Sequence, residues 1–353
     1  MSCTIEVPTT EGATGLDSPL HGGPDAAGVP LHDLSTNANG CGPWPRALQA
    51  LAAADARHYP DPAYTALARR LADWHAVAPA RIVLAASASE FIQRLSVAVA
   101  LQAGAPARVW QPPHAYGDYA RAARAAGLRP AADAGAAALL WACEPSSPLG
   151  QAEPGLAARV AALRPGQTLV LDQAYEPLRL SGQPSLDAAA LARVWRLITP
   201  NKALGLTGVR AAYAIAPVGA DAALLARLRA LAPSWPLGAH GVALLQCWAS
   251  APAHDWLADC RATLRRWKAR QIDALARLGW RVEPSDANFF VAACADCASA
   301  GGRFDMNTWL AELRRHGIKL RDCASFGLPG RVRLAVVAPA AQDALVAALG
   351  ASA

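Results

Sequence analysis

The most chemically loaded spacing in the chain is Thr199-Pro-Asn-Lys-Ala-Leu-Gly-Leu-Thr-Gly-Val-Arg210. A lysine, Lys202, follows an apolar run, with Gly205 and Gly208 close behind and Arg210 eight residues on. In a desolvated setting a lysine amine is neutral part of the time, and only the neutral amine attacks an aldehyde. The glycines let backbone approach a bulky ligand. Arg210 offers a planar fork suited to phosphate, and Thr199 adds a hydroxyl. Taken alone, a buried lysine of structural origin explains the segment better.

It does not stand alone. Leu171-Asp172-Gln173-Ala174-Tyr175 closes an apolar run thirty residues upstream of Lys202. A carboxylate at that strand end can keep a heteroaromatic ring nitrogen protonated, which makes the ring an electron sink. Tyr175 could bond a phenolic oxygen on the same ring. Earlier, Leu84-Ala-Ala-Ser87-Ala88-Ser89-Glu90 links a strand to a helix through small residues, which opens backbone N–H groups at a helix start to a phosphate. A plain helix cap by Ser87 or Ser89 explains it equally well. Tyr116, in Pro113-His-Ala-Tyr-Gly-Asp-Tyr119, could stack on a flat ring or simply fill the core.

Strands and helices must hold these groups. Short apolar runs at 81–86, 108–111, 137–143, 168–172, 194–199 and 209–216 read as buried strands, mostly separated by helices or loops. That rhythm predicts an α/β fold with a largely parallel sheet covered on both faces. After Pro252 the texture changes to a long Arg-rich helix, strands near 280–282, 288–293 and 331–337, and a final helix, which predicts a smaller α+β unit. The expected division is a disordered start at 1–18, an irregular arm at 19–45 that packs with the small unit, a large domain at 46–245 and a small one at 246–353.

Composition narrows the function classes. The 353 residues are 53% hydrophobic and 17% charged, as in a globular chain with a large core. The net charge is +6, yet no Lys or Arg precedes Arg46, which speaks against a signal or transit peptide. No apolar run is long enough to span a bilayer, so a cytoplasmic location is expected. Arg261, Arg265, Arg266, Lys268 and Arg270 crowd one helical stretch, where a solvated helix face is preferred to a nucleic-acid patch. Cys294 and Cys297 form a C-x-x-C pair without a second pair or a spaced histidine, so no metal is expected.

In this order and spacing, the motifs resemble class I/II aminotransferase-like enzymes dependent on pyridoxal 5′-phosphate, over nearly the whole chain. The resemblance implies the aspartate-aminotransferase fold, with a large domain built on a mainly parallel seven-stranded sheet and a small α+β domain. It implies that Lys202 bonds covalently to the cofactor's aldehyde carbon, that Asp172 pairs with its ring nitrogen and that Tyr175 binds its ring oxygen. It places Thr199, Arg210, Ala88 and Ser89 around the phosphate and Tyr116 against the ring. The segment Arg57-His-Tyr59-Pro-Asp61 looks like the one whose tyrosine reaches the neighbouring subunit's cofactor, so a homodimer with shared sites is implied. There are departures: Ser147 stands where the family has an asparagine beside the ring oxygen, Gln173 for a glutamate, Asn201 for a serine and Ser87 for a glycine.

Further features narrow the family. His21-Gly22-Gly23 with Asp33-Leu-Ser-Thr-Asn37-Ala-Asn39 is similar to the opening of threonine-phosphate decarboxylases of cobalamin biosynthesis. Ile318–Phe326 and Val332-Arg333-Leu-Ala-Val are similar to that group's later motifs. The likeness implies that His21, Asn37, Arg321 and Arg333 bind the substrate's phosphate and carboxylate, and that L-threonine O-3-phosphate is decarboxylated to (R)-1-aminopropan-2-yl phosphate. Histidinol-phosphate aminotransferases share much of the pattern, so amino transfer to 2-oxoglutarate is the alternative. A transcriptional regulator of the same fold would need an N-terminal DNA-binding domain, for which the residues before Arg46 leave no room.

Overall fold

A computed structural model describes residues 21–294 and 305–351; the expected disorder of residues 1–18 and the thiol of Cys297 lie outside them. The chain enters through a two-residue strand, His32–Asp33 (β1). Seven strands then build the main sheet: Ile82–Ala85 (β2), Arg108–Trp110 (β3), Arg129–Pro130 (β4), Leu139–Cys143 (β5), Thr168–Asp172 (β6), Trp195–Ile198 (β7) and Ala212–Ile215 (β8). Their order is β2-β8-β7-β6-β5-β3-β4, and only β8 runs against its neighbours.

All five residues of β5 and of β6 are buried. Along β5, Leu139 and Trp141 enter one hydrophobic core while Leu140 and Ala142 enter another. Alternate side chains leave opposite faces of a strand, so an unbroken apolar run marks a strand covered on both sides. The six expected strands are present. β4 was not anticipated: it is two exposed residues at the sheet edge, one of them proline, and carries no apolar signal.

A second, antiparallel sheet has the order β12-β13-β10-β9, from Arg321–Asp322 (β12), Val332–Ala335 (β13), Phe289–Cys294 (β10) and Trp280–Val282 (β9). Ile318–Lys319 (β11) pairs in parallel with β1. The arm therefore closes on this end of the chain: Leu34 N–H donates to Lys319 O (3.0 Å), and Ala335 N–H donates to Leu34 O (2.8 Å). Further on, the arm runs past the lysine turn, with Asn39 N–H on Lys202 O (2.9 Å) and Trp44 N–H on Leu204 O (3.0 Å).

The basic helix, Ala251–Arg277, is more than a solvated face. Arg261 donates to Pro177 O (3.2 Å), Arg265 to Leu180 O (2.6 Å) and Lys268 to Ala287 O (2.9 Å). These cations satisfy loop carbonyls where the two sheets meet, and burial pulls the Lys268 amine down to about 8. Periodicity shows a charged stripe but not what lies opposite it. Among the described residues, no helix is long and apolar enough to cross a membrane.

Candidate active site

The chemistry-bearing residues collect at the C-terminal ends of the parallel strands, the usual place for a ligand in an open α/β sheet. Asp172 is the last residue of β6 and is 4% exposed. Its Oδ1 accepts from the Ala174 N–H (2.9 Å) and its Oδ2 from the Tyr119 hydroxyl (2.7 Å). Burial pushes its acidity toward the neutral form, while these two donors and the positive charge of Lys202 oppose that shift.

Lys202 lies in the turn after β7, half-buried, with Nζ 5.3 Å from the centroid of the Tyr175 ring. The turn is held from both sides. Lys202 N–H donates to Asn201 Oδ1 (2.9 Å), so the departure at Asn201 supplies a local brace, and Asn39 Nδ2 donates to Ala203 O (2.9 Å). Gly205 has φ +71°, and a Cβ there would lie 2.7 Å from Gly42 O, so the close passage of the arm requires glycine. The Tyr175 hydroxyl accepts from Asn37 Nδ2 (3.4 Å), and Asn37 is wholly buried in the left-handed region at φ +59°.

At the start of helix Ala88–Ala103, Ser87 caps the Glu90 N–H (3.1 Å) and Glu90 reaches back to the Ala86 N–H (3.1 Å). Ser87 is therefore a helix cap, and the first-turn N–H groups of Ala88 and Ser89 have no acceptor within the helix. Ser89 Oγ is 3.3 Å from the Tyr116 hydroxyl. The buried Thr199 hydroxyl has no partner among the described residues, and Arg210 is exposed. An orphaned hydroxyl, free helix-start N–H groups, an amine and a buried carboxylate form a donor set that fits the phosphate, aldehyde and ring nitrogen of pyridoxal 5′-phosphate.

Across from them stand two arginines. Arg321 and Arg333 are directly opposed on β12 and β13, and each is 6% exposed. Arg333 donates to Ser147 Oγ (3.1 Å) and Ser35 O (3.1 Å), its Nε has no partner, and its guanidinium lies 5.4 Å from the Phe289 ring centroid. Arg321 donates to Ser325 Oγ (2.8 Å) and lies over Phe326 (4.9 Å). Among the described residues no carboxylate is within ion-pair distance of either. Burial lowers the Arg321 pKa first, and the Arg333 charge lowers it further.

His21 joins this group. Its ring is 5.9 Å from that of Tyr116 and its Nε2 is 3.9 Å from Asp118 Oδ1. Burial depresses its pKa; Asp118 opposes this, and Arg321, Arg121 and Lys202 add to it. A Cβ at Gly22 would collide with the Ser35 carbonyl, which gives the His-Gly-Gly opening a steric reason. Tyr59 lies apart from these residues, 77% exposed and stacked on Trp235 at 4.3 Å.

The structure also places residues that sequence reasoning left unassigned. Tyr119 binds Asp172, Arg121 holds the buried Asp118 (2.9 Å), and Asn39 clasps the lysine turn. The signal for Tyr119 was its position three residues after Tyr116, on one side of a helix start.

The family described as aminotransferase class I and II matches residues 128–349. A histidinol-phosphate aminotransferase of Symbiobacterium thermophilum is 31% identical over 360 residues, covering 91% of this chain and 92% of its own. The fold is similar to that of histidinol-phosphate aminotransferase from Sinorhizobium meliloti in complex with pyridoxal-5′-phosphate, with TM-score 0.75, 23% identity and 91% of each chain covered. It is also similar to L-threonine-O-3-phosphate decarboxylase from Porphyromonas gingivalis, with TM-score 0.73, 20% identity, 90% of this chain and 98% of that one.

Proposed function

The chain belongs to the class I and II aminotransferase family and takes pyridoxal 5′-phosphate as its cofactor, and from that premise we propose that it moves an amino group between a phosphorylated amine of the histidinol-phosphate type and a 2-oxo acid. The observation that carries the substrate class is the Arg321–Arg333 pair. Two buried guanidiniums facing each other without a carboxylate are costly unless an anion joins them. A phosphate or carboxylate on the substrate meets that need with bidentate hydrogen bonds.

When bound, the cofactor supplies an electron sink for the electron pair released at the substrate's α-carbon. The chain's residues do the rest. Thr199, Arg210 and the Ala88 and Ser89 N–H groups hold the cofactor phosphate, and Tyr116 covers the ring. Asp172 would keep a proton on the ring nitrogen, and Tyr175 and Ser147 would serve the ring oxygen. The Lys202 amine would anchor the cofactor and would carry a proton to and from the substrate's α-carbon. Arg321, Arg333, Asn37 and His21 orient the substrate. Tyr59, exposed on this chain, serves a second copy in a homodimer; an active monomer in sedimentation experiments refutes that part.

The curated relatives favour amino transfer over the decarboxylation expected from the His-Gly-Gly opening. Decarboxylation of L-threonine O-3-phosphate is the second reading, supported by His21, though 45% exposed, lying beside Tyr116 and Asp118. The test is one assay of both products. Histidinol phosphate with 2-oxoglutarate should yield glutamate without carbon dioxide. Carbon dioxide release from L-threonine O-3-phosphate, with no glutamate from either compound, sinks the aminotransferase reading.

A further inference from the structure

We propose that Tyr119 is a positioning residue for the reaction, holding Asp172 ionised and aimed through its hydroxyl, and that a stack of aromatic rings fixes that hydroxyl in place. The inference rests on the reading above that Asp172 faces the cofactor's ring nitrogen.

The physical need is plain from the burial. Asp172 ends a strand with no exposed residue, and a carboxylate there tends to take up a proton and become neutral. As a neutral acid it could not hold a positive ring nitrogen by charge. The groups facing it are few: the Tyr119 hydroxyl, the Ala174 N–H, the Lys202 amine, and the Cys143 thiol at the opposed position of β5. Burial pushes the Cys143 thiol well above its ordinary value, so it stays neutral and adds no charge. Tyr119 and Ala174 each donate to a different carboxylate oxygen, and of these two donors only Tyr119 is a side chain.

The hydroxyl is held by its ring. Tyr119 is completely buried and lies flat on Trp141, with centroids 4.6 Å apart and planes 5° from parallel. Its other neighbour, Tyr116, meets it edge-on at 5.7 Å and 87°, and Tyr116 in turn reaches Ser89. The helix start that offers N–H groups to a phosphate is thus linked to the carboxylate by two tyrosines three residues apart. A shift of Tyr116 would be transmitted to Asp172 through packed rings rather than through solvent.

The experiment reconstitutes the holoenzyme with pyridoxal phosphate labelled with 15N in its ring and compares wild type with Tyr119→Phe. The wild-type nitrogen should resonate at its protonated position. In Tyr119→Phe it should move toward the unprotonated position, with kcat down roughly tenfold and the KM for the amino donor little changed, because a charge-assisted hydrogen bond is lost and no substrate contact is. A wild-type shift in Tyr119→Phe overturns the proposal. An unprotonated nitrogen in the wild-type enzyme overturns the role of Asp172 itself, a different result. Should Tyr119→Phe fail to fold, Trp141→Leu keeps the hydroxyl and removes the ring it lies on. The same displacement in smaller measure is then required, and its absence rejects the stack.

Discussion

The two walls of the site are built on opposite principles. On the main-sheet wall, Asp172 has a donor on each oxygen, and the lysine turn is braced by Asn201 and Asn39. On the other wall, formed by the arm and the four-stranded sheet, Arg321 and Arg333 oppose each other with no acid between them among the described residues, and Asn37 Oδ1 and Arg333 Nε lack partners there. On the first wall Asp172 and the lysine turn are braced by the protein itself, although the Thr199 hydroxyl there has no partner among the described residues. The other is complete only when an anion arrives. A resident cofactor suits prearranged donors, whereas a substrate that must come and go suits a site whose electrostatic cost is relieved on binding.

The largest effect should come from the finished wall. Lys202→Ala should abolish turnover and leave no borohydride-reducible adduct between protein and cofactor, while circular dichroism and melting stay near wild type. A full-stoichiometry reducible adduct in that variant would show that another amine anchors the cofactor.

The unfinished wall should separate stability from activity. Arg333→Met removes a buried cation that no described carboxylate neutralises, so the substrate-free variant should be at least as stable as wild type to urea. Its kcat/KM for a phosphorylated amine should still fall about a hundredfold, the scale of a lost charged hydrogen-bond pair. Tens of millimolar inorganic phosphate should raise the melting midpoint of wild type by a few degrees and leave Arg333→Met unmoved. Strong destabilisation of Arg333→Met would mean that the arginine is already satisfied and that the contrast between the walls is wrong.

The smallest effect concerns a polar cluster behind the main sheet. His75 lies 2.7 Å from the Tyr213 hydroxyl, which also accepts from Trp248 Nε1 (2.8 Å). Burial first, then Arg196 and His254, bring the His75 pKa down to about 4 from an ordinary 6.5. The unfolded chain then binds a proton more readily than the folded one. The stability from neutral His75 is therefore complete above pH about 6.5 and is lost as pH falls toward about 4, by up to roughly 3 kcal/mol. His75→Gln should flatten that stretch of the urea-midpoint profile, and phosphate should not alter it. An equally steep profile in the variant would move the acid sensitivity to another group.

Much of this was legible in the sequence, for definable reasons. Interior parallel strands such as β5 and β6 announce themselves because both faces are buried and most of their residues are apolar. Strand ends followed by glycine-spaced polar residues mark where a ligand can approach backbone, so Asp172 and the Lys202 turn could be named from local pattern. Order along the chain then carried the family.

What local pattern could not hold is distance between segments far apart in the chain. Arg321 and Arg333 are ordinary strand arginines until register sets them face to face. Tyr119 is one more core aromatic until β5 lays Trp141 beneath it and β6 ends beside its hydroxyl. The basic helix looked solvated because a sequence shows its charged stripe but not the carbonyls that Arg261, Arg265 and Lys268 reach. Hydrophobic periodicity is a property of neighbours in sequence and survives without tertiary contacts. Whether a buried charge is neutralised, and by what, depends on which distant segments pack against it, and only the folded chain decides that.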